Sequence, residues 1–372
     1  MLSQGSNQER RRARGWGLSV GTLPPGPLNA LTDVAGVRVG HCTLAYGDGP
    51  TAVRTGVTVV LPHGGDPFRE KAIAAVATLN GFGKPLGFEQ VRELGTLESP
   101  IGLTNTLCVG PVAEGLIRWE LERNPKLGQA WGSINAVVGE CNDGFLNDLR
   151  GRHVRAEHAL EALEAAAGGP VAEGNVGAGA GMCALGYKGG VGTSSRQTPD
   201  DLGDYRVGAL VVANFGAAGQ LRIDGLPVGR LLQGATDDAG PRLPGGSVMV
   251  VLATDAPATS RQLGRLARRA GIGLARVGSL GEHGSGDFVI AFSTAQRFPH
   301  GGAPATFPMR FLNDAAPLMN ALFQAVAEAV EEAVVNALLA AETCVGFQGH
   351  RREGLPGRQA AALWQRWRGP QL

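Results

Sequence analysis

A serine that opens a strand directly behind two glycines is a nucleophile with a carbonyl in reach. Gly245, Gly246 and Ser247 close a polar stretch rich in Gly, Pro and Asp (234–244), and the unbroken apolar run Val248 to Ala253 follows at once. The Ser247 hydroxyl can attack the carbonyl of Gly246, a residue with no side chain to block approach and with wide backbone freedom. Hydrolysis of the resulting ester would leave Ser247 as a new N-terminus. Its freed amine, with a reference pKa of about 7.7–8.0, is partly unprotonated near neutrality and can serve as the base for its own hydroxyl. Gly-Gly-Ser before a strand is also the sequence of an ordinary turn, so the chemistry has to be supported from elsewhere in the chain.

Four further polar groups supply that support. Asn214 ends the strand-like run Val207 to Ala213, where its amide can donate to an oxyanion. Glu140 follows Ala136, Val137, Val138 and Gly139, so a carboxylate arrives at the mouth of an apolar segment. Ser285 and Asp287 sit in Gly284-Ser285-Gly286-Asp287, immediately before the apolar run from Phe288 to Phe292. Each alone reads as a turn or cap residue. Together, at strand edges, they are the residue types that an amine-directed acyl hydrolase requires.

Other chemistries find little footing. The seven histidines form no metal-ligand spacing, and no Walker lysine, HExxH or GxSxG nucleophile elbow is present. Gly177, Gly179, Gly181 and Ala184 satisfy a loose G-x-G-x-x-A, but Ala172 to Asn175 before them do not read as a strand, so a nucleotide-binding turn lacks its scaffold. A formal charge of +1 gives no footprint for nucleic acid or an anionic membrane. The five cysteines, odd in number and scattered through apolar or Gly-rich surroundings, point to reduced thiols in the cytoplasm, and no segment reads as a signal peptide or membrane span.

The elements that must position these groups follow from apolar patterning. Leu31 to Val39, Thr55 to Leu61, Val207 to Ala213, Val248 to Ala253 and Phe288 to Phe292 read as strands. Glu70 to Leu79 and Ile117 to Glu122 read as helical or mixed. Arg155 to Ala167 is a helix ended by Gly168, Gly169 and Pro170; Asp255 and Pro257 open another, and Pro317 to Ala341 is the longest. Arg11, Arg12 and Arg14 are expected in a solvated, disordered basic tail spanning 1–16. The segment from His350, with five more arginines, Trp364 and Trp367, reads equally as an amphipathic helix on a neighbouring subunit or as a solvated end. Strands and helices on both sides of Ser247 predict one layered α/β domain whose two parts share a core. The piece after Ser247 alone holds too few elements for a core of its own.

At this point a family resemblance becomes specific. The chain resembles the DmpA/BapA family of N-terminal-nucleophile aminopeptidases through LTDVAGVRVGHCTL, PIGLTNTLCVGPV, VVGECNDGFLND, GNVGAGAGM, KGGVGTSSR, LRIDGLPVGR, GGSVMVVLATDAP, GSGDFVIAFST and NALLAAET. Only the N-terminal tail and the segment after Gly349 fall outside. The resemblance implies an α-β-β-α sandwich without a cofactor, cut between Gly246 and Ser247 into a large fragment (17–246) and a small one (247–349, with 350–372 as an extension). It also implies a homotetramer of cleaved pairs acting on short peptides, amides or esters with a free N-terminus.

By the same resemblance Ser247 is the nucleophile, Asn214 the oxyanion amide, and Ser285 and Asp287 the pair that orients the nucleophile and its amine. Glu140 holds the substrate amine. Asn142 stands where some members carry a tyrosine, and Asp287 is shorter than the Glu of others. Two other functions remain open to test: an ornithine-acetyltransferase-like acyl transfer, disfavoured because those enzymes use Thr, and non-enzymatic nucleotide binding through the glycine run.

Overall fold

The computed structural model describes residues 11–233, 246–301 and 305–369. Along the chain run strands β1 (Arg38–Tyr46), β2 (Val53–Leu61), β3 (Glu70–Gly81), β4 (Thr96–Leu97), β5 (Ile101–Asn105), β6 (Val137–Cys141), β7 (Gly190–Gln197), β8 (Arg206–Asn214), β9 (Ser247–Thr254) and β10 (Gly286–Pro299). The principal helices are α1 (Val109–Arg123), α2 (Ala156–Glu164), α3 (Ser260–Val277), α4 (Leu318–Ala340) and α5 (Gly357–Arg368).

Two sheets stack face to face between helices. One has the strand order β1-β2-β5-β6, the other β4-β3-β10-β9-β8-β7. Helices α1 and α2 cover the outside of the first sheet through Val112, Leu116, Ala159 and Leu163. Helices α3 and α4 cover the second through Leu263, Leu266, Val326 and Val330. Between the sheets lie Leu103, Met249, Val251 and Ile290. The expected α-β-β-α sandwich is therefore the fold observed. Strands in the middle of a sheet covered on both faces read as continuous apolar runs, which is why β8 and β9 stood out in the sequence.

Several local expectations are corrected. Glu70 to Leu79 is strand, not helix: its alanines have little strand preference, but pairing with β10 from Thr78↔Phe288 to Glu70↔Pro299 overrides that. Of Leu31 to Val39, only the end belongs to β1. Residues Leu31–Asp33 form a 3-10 turn, because the Asp33 carboxylate accepts the backbone N–H groups of Leu28 and Ala30. Ile117 to Glu122 lies inside the longer α1. Helix α3 starts at Ser260, capped by Thr259 and Gln262, later than Asp255 and Pro257 suggested.

The basic residues before Gly15 are not all solvated. Arg14 pairs with Glu332 at 3.0 Å and Arg12 with Glu173 at 2.7 Å, and Ala13 between them is fully buried. Glu332 also binds Arg196 of β7 at 2.7 Å, so one buried charge network ties the N-terminal segment, β7 and α4 together. Residues 1–10 of the expected tail lie outside the described residues, as does the polar stretch 234–245 before Gly246. After His350 the chain includes α5, which buries Ala360, Ala361 and Trp364 against its own core. No helix among the described residues is long and apolar enough to cross a membrane.

Candidate active site

Ser247 is the first residue of β9, at the centre of the six-stranded sheet. It faces Asn214, the last residue of β8, across an antiparallel pair, and Gly286, the first of β10, across a parallel one. Ser247 is 3% exposed, and its hydroxyl accepts two hydrogen bonds, from the Asn142 N–H at 3.1 Å and from Asn214 Nδ2 at 3.0 Å. Asn214 is itself held on every side. Its Nδ2 also donates to the Asn142 carbonyl at 2.8 Å, and its Oδ1 accepts the Cys183 N–H at 2.9 Å, so the orientation of the amide is fixed by its partners.

The bond before the serine is equally well placed. The Gly246 carbonyl accepts the Gly286 N–H at 3.1 Å. A Cβ on residue 246 would lie 3.3 Å from Ser285 Oγ and from the Phe215 backbone, tighter than ordinary contact, so glycine fits here for lack of room. Ser285 Oγ donates to Asp287, and both residues are 2% exposed. Burial raises the Asp287 carboxyl, the bond from Ser285 opposes this, and the charge of Glu282 adds to it. These two side chains therefore stand beside the Gly246 end of the bond and bond each other.

Glu140, in β6 and 4% exposed, reaches the same cavity. The sequence suggested a carboxylate at the mouth of an apolar segment, and the family resemblance a substrate amine as its partner. The structure supplies a partner within the chain: Lys84 donates to Oε1 from its backbone N–H at 3.1 Å and from Nζ at 3.3 Å, and Nζ also donates to Thr106 Oγ1. Asn142 contributes through its backbone, while its side chain accepts the Gly144 N–H at 3.0 Å in a turn. Cys141, packed next to the site, is no rival nucleophile, because burial drives its thiol well above the ordinary range.

The cavity, 1160 Å³, is lined by Ser247, Gly246, Asn214, Glu140 and Asn142, with Phe82 and Lys84 on one wall. Another wall comes from residues beyond α4: His350 stacks on Phe145 at 4.5 Å, and the Arg352 guanidinium lies over the same ring. Sequence reasoning missed Lys84 and these C-terminal residues. The chain had been expected to leave the domain at His350, yet His350 to Glu353 line the cavity that holds Ser247. The glycine run does something else: Gly177 and Gly179 pack against backbone of β2 and β7, closer than a Cβ would allow.

The chain as a whole is similar to known proteins in sequence and fold. The model of peptidase family S58 matches residues 29–352. The chain is 40% identical to a β-peptidyl aminopeptidase BapA of Sphingosinicella microcystinivorans, over 99% of this chain and 95% of that protein. A Burkholderia β-aminopeptidase structure superposes with a TM-score of 0.89 at 44% identity, covering 95% of this chain and 98% of the other. An L-aminopeptidase D-Ala-esterase/amidase from Ochrobactrum anthropi, described as a prototype serine aminopeptidase with a variant of the Ntn hydrolase fold, gives a TM-score of 0.88 at 37% identity, covering 96% and 98%. These matches lend nothing to the acyltransferase and nucleotide-binding alternatives. The chain belongs to peptidase family S58 and is an N-terminal-nucleophile serine aminopeptidase.

Proposed function

We propose that the chain matures by cutting its own Gly246–Ser247 bond and then uses Ser247 to release N-terminal residues from short peptides, amides or esters. One observation carries this reading: Ser247 Oγ is held by two N–H donors while the preceding carbonyl is polarised by the Gly286 N–H. In the first reaction Oγ bonds to the Gly246 carbonyl carbon and the Gly286 N–H steadies the oxyanion. The C–N bond breaks as the hydroxyl proton passes to the Ser247 nitrogen, an ester forms, and water hydrolyses it to leave a Gly246 carboxylate and a Ser247 amine.

In the second reaction that amine takes the hydroxyl proton, Oγ attacks the substrate carbonyl, and the proton passes to the leaving amine. Asn214 Nδ2, 3.0 Å from Oγ, is close enough to serve the oxygen of a carbonyl bonded to it. Ser285 and Asp287 position the new terminus, and Glu140 pairs with the substrate ammonium. The cleaved pairs assemble as a tetramer in the cytoplasm. Five free, buried cysteines suit a reducing compartment.

Intact mass spectrometry and anilide hydrolysis test the reading together. Active protein runs as fragments ending at Gly246 and beginning at Ser247, associated without denaturant, and Ser247→Ala shows neither cleavage nor release of p-nitroaniline. Peptidase activity in a verified Ser247→Ala preparation sinks the assignment. Added acceptor amines leave the product distribution hydrolytic, and native mass spectrometry reports the assembly.

A further inference from the structure

Lys84 and Glu140 leave one donor and one acceptor unused, side by side on the wall of the Ser247 cavity. A lysine ammonium has three N–H donors. One goes to Glu140 Oε1 at 3.3 Å and one to Thr106 Oγ1, and no acceptor among the described residues takes the third. Glu140 Oε1 accepts both bonds from Lys84, whereas Oε2 accepts none among the described residues. The Lys84 side chain is 58% exposed and both residues line the cavity. A substrate ammonium arriving at Glu140 with no other charge meets a like charge on Lys84, which is unfavourable. An ammonium that brings its own carboxylate completes an alternating set of four charges and uses both spare positions.

We propose that this pair recognises an N-terminal residue whose amine-bearing carbon also carries a free carboxylate. In an ordinary α-linked residue the carboxyl on that carbon is the bond to be cut. A free carboxylate there means that the residue is joined through its side-chain carbonyl, as in β-aspartyl or γ-glutamyl amides and peptides. The inference rests on Ser247 as nucleophile and Glu140 as amine anchor. Ser247 Oγ bonds to the side-chain carbonyl carbon, the amide C–N bond breaks, and its nitrogen leaves with the hydroxyl proton. Water then hydrolyses the ester and releases aspartate or glutamate. Lys84 binds the carboxylate and takes no part in the bond changes.

Two pairs of p-nitroanilides decide it, each differing only in the carboxylate: L-aspartic acid β-anilide against β-alanine anilide, and L-glutamic acid γ-anilide against 4-aminobutyric acid anilide. In at least one pair the carboxylate-bearing member is expected to show kcat/KM about three- to tenfold higher, chiefly through KM, and Lys84→Met brings the ratio to one or below. Ratios of one or less in both pairs, a ratio that survives Lys84→Met, or turnover of L-alanine p-nitroanilide with none of the four, overturns the proposal. If no anilide at all is turned over, the nucleophile reading fails separately and titration calorimetry decides. Tighter binding of free L-aspartate or L-glutamate than of β-alanine or 4-aminobutyrate, lost in Lys84→Met, supports the pair as a zwitterion site; equal or weaker binding overturns it.

Discussion

Asn214 and Ser247 face each other across β8 and β9, with the amide nitrogen 3.0 Å from the hydroxyl oxygen. The same amide holds the Asn142 carbonyl and the Cys183 N–H. A single side chain therefore joins Ser247, the turn after β6 and the backbone at Cys183. The role proposed for Asn214 in the chemistry and its structural role would thus fall on one residue, and its removal should be felt in both.

Asn214→Ala is expected to lower kcat on an anilide by about 10²- to 10³-fold. It should also destabilise the fold by about 1–3 kcal/mol, because the Cys183 N–H and Asn142 carbonyl lose a partner. Steady-state kinetics and urea melts measure the two effects. A variant with parental kcat would remove Asn214 from the chemistry.

Glu140→Gln keeps the shape of the proposed amine anchor and removes its charge. For substrates with a free amine, kcat/KM is expected to fall about 10- to 100-fold, the loss of a charge-assisted hydrogen bond. Formation of the two fragments should be spared, since the Gly246–Ser247 bond presents no ammonium. If mass spectrometry shows cleavage blocked in a folded protein, or the kinetics are unchanged, the anchor lies elsewhere.

Asp143, next to Asn142 and 1% exposed, gives a pH signature. Burial pushes its carboxyl from 3.8 up to about 7, against hydrogen bonds from Thr55 and Asn147. Between those values the native chain holds a proton that the unfolded chain has released, so this group makes stability fall as pH rises from about 4 to about 7. Asp143→Asn removes that slope. The Tm difference, variant minus parent, should grow across this window; a difference independent of pH would show that Asp143 ionises as readily folded as unfolded.

Much of the site was legible because its residues sit at the ends of buried strands. A strand covered on both faces is written as an apolar run, and a polar residue at its edge is conspicuous: Asn214 after Ala213, Glu140 after Gly139, Ser247 before Val248. Lys84 carries no such signal. It lies in a Gly- and Pro-rich loop, and its meaning comes from a carboxylate 56 positions later. The partners of Arg14 and of His350 are likewise distant in sequence, Glu332 and Phe145, so neither residue could be distinguished from a solvated charge or a loop histidine. The misreading of Glu70 to Leu79 has the same origin: Ala-rich composition is local, whereas the ladder to β10 is not.

The strand order of the larger sheet has a consequence for recovery from denaturation. Strands β9 and β10 follow Ser247 in sequence, yet they lie between β3 and β8, which precede it. A chain cut before Ser247 is thus two polypeptides interleaved in one sheet, and neither can complete its hydrogen-bond ladders alone. Before the cut, folding is a first-order event within one molecule. After it, regaining the native sheet is a bimolecular recombination, with a half-time inversely proportional to concentration, so that dilution alone turns reversible unfolding into lasting inactivation.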